Sequence, residues 1–131
     1  MVRLTTHQDV ELQRLRQTFL AQLPERVQAI ETLLAEALAG DRLDGGRMDA
    51  LFHLAHRLCG SAGIYGYQAV HLAAAALEDV TQGLRDAPAA GVAAAADLCR
   101  LLATLKRVST EAGADPPAAA PRGRKRARAK R

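Results

Sequence analysis

Between Asp9 and Leu38, apolar residues recur three or four positions apart: Leu12, Leu15, Phe19, Leu23, Val27, Ile30, Leu34 and Leu38. That spacing lays one apolar stripe along a 3.6-residue helix. Pro24 interrupts it, so the stretch reads as one kinked helix, or as two end to end with the proline opening the second. The run Ala39 to Gly46 reads as a turn with Gly40 at a C-cap position. A second helix is expected from about Arg47 to Ile64, with Met48, Leu51, Ala55, Leu58 and Ala62 on its apolar face. Gly63 and Gly66 make the next connection, and a third helix from Gln68 to Leu84 buries Val70, Ala74, Leu77, Thr81 and Leu84. The segment from Arg85 to Pro88 breaks it. A fourth helix from about Ala89 to Ala112 carries Leu98, Leu102, Leu105 and Val108.

Four amphipathic helices with short connections pack as antiparallel neighbours, so the fold class is all-α, a four-helix bundle with an additional or kinked N-terminal helix. Composition supports this: 3% of the 131 residues are aromatic and none is Trp, which leaves a β-sandwich or barrel without its usual core residues. The bundle is expected over residues 1–112. Residues 113–131, rich in Pro, Ala, Gly and Arg without an apolar period, are expected to be a disordered basic tail.

Charge divides along the same boundary. The whole chain carries +4, yet the segment from Arg122 to Arg131, RGRKRARAKR, holds seven of the 18 Lys and Arg residues. The residues before it keep 11 bases against all 14 acids, a net charge of −3. The basic character therefore belongs to the tail. No stretch approaches the ~18 apolar residues of a membrane span, and the amino terminus lacks the apolar core of a secretion signal. These features predict a cytoplasmic monomer in which Cys59 and Cys99 are reduced thiols. Cys99 is expected to be a small core residue, and His7 and His71 ordinary surface or boundary residues.

The stretch LFHLAHRLCGSAGIYG, Leu51 to Gly66, carries the candidate chemistry. At about 100° per residue, His56 points roughly 140° away from the apolar stripe and should face solvent. Gly60 follows one turn later, where a helical glycine costs about 1 kcal/mol relative to alanine. A missing side chain there leaves space beside the imidazole for a phosphoryl group and a docking loop. Gly63 lies on the same flank, although helix termination also accounts for it.

The order His56-Arg57-Leu58-Cys59-Gly60-Ser61-Ala62, then Gly66, then Leu77-Glu78 on the next helix, resembles the signature of histidine-containing phosphotransfer (HPt) domains. The resemblance covers about residues 10–110. It implies a phosphocarrier, not an enzyme with its own turnover, relaying a phosphoryl group between aspartates of receiver domains in a two-component phosphorelay. By that resemblance His56 is the phosphoacceptor, Gly60 gives the phosphate room, Gly66 makes the turn and Leu77 packs between helices. Phe19-Leu20-Ala21-Gln22 is similar to the segment whose glutamine hydrogen-bonds the imidazole, which implies that role for Gln22. The implied partners are a response-regulator receiver domain and a hybrid histidine kinase. Docking is expected around His56 on Phe19, Phe52, Arg57, Cys59, Gly63, Ile64 and Tyr65, although Phe52 and Ile64 also fit the bundle core. No cofactor of its own is implied, because the receiver supplies a divalent metal ion. One position departs: the family usually has lysine three residues after the histidine, and here it is Cys59, a thiol that cannot offset phosphoryl charge.

Two other readings compete. His53, His56, Cys59 and His71 are metal-ligand types, but the first three step round the helix by about 60° each time and do not converge. The tail instead suits an adaptor, or weak non-specific binding of nucleic acid or an acidic partner, with affinity falling steeply with salt. No aromatic residue interleaves with its cations, so base-stacking recognition is not supported.

Overall fold

A computed structural model of the chain describes residues 7–39, 45–86 and 91–114. They form four helices: α1 (His7–Leu38), α2 (Gly45–Tyr65), α3 (Gln68–Asp86) and α4 (Gly91–Ala114). Each helix packs on its neighbour in sequence and α4 closes against α1, which makes the all-α four-helix bundle the periodicity predicts. Gly40 and the basic segment from Arg122 to Arg131 lie outside the described residues.

The apolar stripes become the core. All five residues expected on α2 and all five on α3 are buried, and Ile30, Leu51, Ala55, Leu77, Leu98 and Leu105 are fully enclosed. Thr81 is the buried polar residue of the described core, and its hydroxyl donates to the carbonyls of Leu77 at 3.0 Å and Glu78 at 2.9 Å.

At Pro24 the structure chooses between the two expected arrangements, and two other expectations change. α1 runs through the exposed Pro24 as one continuous helix. α1 has 32 residues against the 21 of α2, and Leu15 in its N-terminal half is exposed although it keeps the period of the stripe. Cys99 is exposed and not a core residue, because it stands about 100° round α4 from Leu98, outside the buried stripe.

The α2–α3 junction sets how closely α3 lies against the flank of α2 that carries His56. Gly63 remains inside α2, and the turn falls on Gly66, whose φ of 88° lies in the left-handed region that favours glycine. The Tyr67 amide donates to the Ala62 carbonyl at 2.9 Å and the Gly66 amide to that of Gly63 at 3.3 Å, a Schellman cap. Tyr67 then opens α3, its carbonyl accepting from the His71 amide at 2.9 Å. A two-residue connection lays α3 tightly along α2.

Candidate functional site

His56 stands on the outer face of α2 with its side chain 63% exposed. Its Nδ1 lies 3.1 Å from Oε2 of Glu78 on α3. A carboxylate only accepts, so Nδ1 carries the proton and, in the neutral ring, Nε2 keeps the lone pair. A pair this exposed contributes about 0–1 kcal/mol to stability, so its main effect is on the tautomer and orientation of the ring.

The ring face is supported from the preceding turn. Phe52 stacks on it with centroids 5.9 Å apart and planes 12° from parallel. Behind Phe52, the Arg85 guanidinium sits 4.3 Å from the phenyl centroid and donates to Asp49 Oδ1 at 2.8 Å. The support alternates between α2 and α3, so their packing holds the imidazole in place.

On the following turn, a Cβ added at Gly60 would meet nothing within 4 Å. Packing therefore gives no reason for glycine there. Gly60, His56, Arg57 and Ser61 line an open groove of about 680 Å³ between α1 and α2, closed on the α1 side by Glu25 and Arg26. Arg26 donates from Nη1 to Ser61 Oγ at 3.3 Å and from Nη2 to Gln22 Oε1 at 3.2 Å.

Gly63 answers to a different neighbour. A Cβ there would lie 3.0 Å from His71 Nδ1, so this glycine lets α3 approach instead of clearing the flank of His56. His71 Nδ1 donates to the Cys59 carbonyl at 2.9 Å and lies 3.4 Å from its sulfur. His71 is thus a half-buried interhelical strut, more than a boundary residue. Burial, reinforced by the charges of Glu78 and Asp79, pushes the Cys59 thiol above its ordinary pKa and keeps it neutral.

The expected docking residues separate. Ile64 is 72% exposed, Arg57 is exposed and Phe52 is half-buried beside the imidazole. Phe19 is a correction: at 2% exposure it belongs to the core, stacked on Tyr67 at 5.4 Å and tilted against Tyr65 at 5.6 Å. Tyr65 turns its ring inward to Phe19, and its carbonyl accepts from Arg16 Nε at 3.0 Å. Gln22 is a second correction. Its amide oxygen is held by Arg26 on the α1 side, whereas the imidazole's partner comes from α3 as Glu78. Glu78 was visible in the Leu77-Glu78 pair, but spacing along one helix does not say what the next helix faces.

No three His, Cys, Asp or Glu side chains gather as a metal site among the described residues, and no described helix is long and apolar enough to cross a membrane. His53 pairs instead with Asp49 at 3.5 Å. No curated protein and no solved structure matches the chain. Residues 14–111, which contain the imidazole, its carboxylate partner and most of the bundle, match the family model of the Hpt domain, and the chain accordingly belongs to that family of histidine phosphotransfer domains.

Proposed function

We propose that the protein is a cytoplasmic phosphocarrier that accepts a phosphoryl group on Nε2 of His56 from the aspartyl phosphate of one receiver domain and passes it to another. The observation that carries the reading is the Nδ1 to Glu78 contact of 3.1 Å on a solvent-facing imidazole. It presents the nucleophilic nitrogen outward without a catalytic triad.

In the forward step the Nε2 lone pair attacks phosphorus, and the bond from phosphorus to the aspartyl oxygen breaks with its electron pair left on the carboxylate. The imidazole becomes a phosphoimidazolium whose proton stays on Nδ1, where Glu78 offsets the new positive charge. The reverse step restores the neutral ring. The receiver's divalent ion stabilises charge on the transferring group, so this chain positions an imidazole and supplies no metal. Gly60 leaves the approach open, and Phe52, Arg57 and Ile64 surround it as contact surface.

The test is transfer of radiolabel from a phosphorylated receiver domain. Label appears on the wild-type protein and is absent from His56→Gln. Equal labelling of the two overturns the proposal.

A further inference from the structure

Phosphorylation of His56 adds about 1.5–2 negative charges to a ring already in contact with the Glu78 carboxylate. Something positive has to face that group if it is to form readily. Cys59, one turn on, is a neutral thiol. Arg85 is engaged with Asp49 and Phe52.

Arg26 is different. It is half-buried, and among the described residues its polar partners are both neutral, although Glu25 lines the same groove. Its two terminal nitrogens are held by neutral acceptors, the Ser61 hydroxyl and the Gln22 amide oxygen, and its guanidinium carbon sits 5.8 Å from the Phe19 ring centroid. Three contacts thus orient a cation without neutralising it. It lines the same groove as His56 and Gly60, where a Cβ added at Gly60 would meet nothing within 4 Å. A guanidinium presents up to five donors in a planar fork that suits phosphoryl oxygens.

We infer that Arg26, oriented by Ser61 and Gln22, is a phosphoryl-binding residue that contacts the oxygens of phosphorylated His56 across the α1–α2 groove. The inference rests on His56 being the phosphoacceptor. It supplies from a neighbouring helix the positive charge that the position of Cys59 lacks.

Phosphoramidate tests it without a receiver domain. Its bond from nitrogen to phosphorus breaks as the bond from Nε2 to phosphorus forms, and ammonia leaves. Formation of phosphohistidine is followed by 31P NMR in the full chain, with urea unfolding of each variant alongside. Arg26→Gln is expected to slow phosphorylation about tenfold or more, as removal of a charged donor does. Arg26→Lys, which keeps the charge but loses the planar fork, is expected to fall between Arg26→Gln and wild type, and the remote Arg100→Gln to match wild type. The deficit of Arg26→Gln should shrink with added salt as its charge is screened. Arg26→Gln at the wild-type rate, or Arg26→Lys as slow as Arg26→Gln, overturns the role of Arg26 while leaving the carrier reading standing. Wild-type protein that gains no phosphohistidine, or gains it equally in His56→Gln, overturns both.

Discussion

The Nδ1 of His56 on α2 and the Oε2 of Glu78 on α3 lie 3.1 Å apart, and this contact decides which imidazole nitrogen faces outward. The two residues are 22 positions apart in sequence. They meet because the Schellman cap at Gly66 folds α3 back along α2 within two residues.

Glu78→Ala should therefore release the tautomer. In nitrogen-15 NMR of the imidazole, the wild-type ring is expected to carry its proton on Nδ1, and the variant to populate the Nε2-protonated form. Loss of a hydrogen bond to a charged group, about 1.5–3 kcal/mol, corresponds to a fall in phosphorylation rate of about tenfold or more. An unchanged tautomer in the variant would show that Glu78 does not orient the ring.

Gly60 and Gly63, three residues apart on one helix, should respond to alanine in opposite directions. Gly60→Ala meets open space, so helix propensity alone acts and stability rises by about 0.5–1 kcal/mol in urea unfolding. Phosphotransfer from a receiver should nevertheless slow, because the methyl group enters the approach to His56. Gly63→Ala presses on His71 at 3.0 Å and is expected to lower stability by about 1–3 kcal/mol. Matching shifts in the two variants would contradict the packing difference.

Phe19 and Ile64 separate core from surface. Phe19→Ala empties a fully packed position and should cost about 3–5 kcal/mol. Ile64→Ala, at a residue 72% exposed, should leave stability within about 0.5 kcal/mol but weaken receiver binding measured by calorimetry. Unaltered binding by Ile64→Ala would remove it from the docking surface.

The two thiols should differ in reactivity. A pKa raised by burial and by Glu78 and Asp79 means less thiolate at any pH below it, so Cys59 reacts slowly with iodoacetamide at pH 8 and accelerates as pH rises. Cys99 is exposed and should be modified first. Mass spectrometry of partially labelled protein reads the order directly, and earlier labelling of Cys59 would contradict its burial.

How much of the fold and the site was legible in the chain differs element by element. The α2 and α3 stripes are readable from helical spacing against one core, and packing adds only Ala73 to the expected α3 positions. The N-terminal half of α1 is not readable that way. Leu15 keeps the same period as Phe19 and is exposed, and periodicity does not tell which positions of a stripe are covered. His56 and Gly60 are legible in local geometry, because exposure on an amphipathic helix and the cost of a mid-helix glycine are properties of one segment.

The sequence by itself determined the four helices, the apolar stripes of α2 and α3 and the outward direction of His56, because all of these follow from short-range spacing and backbone preference. Only the tertiary structure decided that Glu78 and not Gln22 meets the imidazole, that Phe19 is core, and that Arg26 faces the groove beside Ser61. Those facts depend on how one helix is rotated against the next, and that rotation is set by the packing of the whole core.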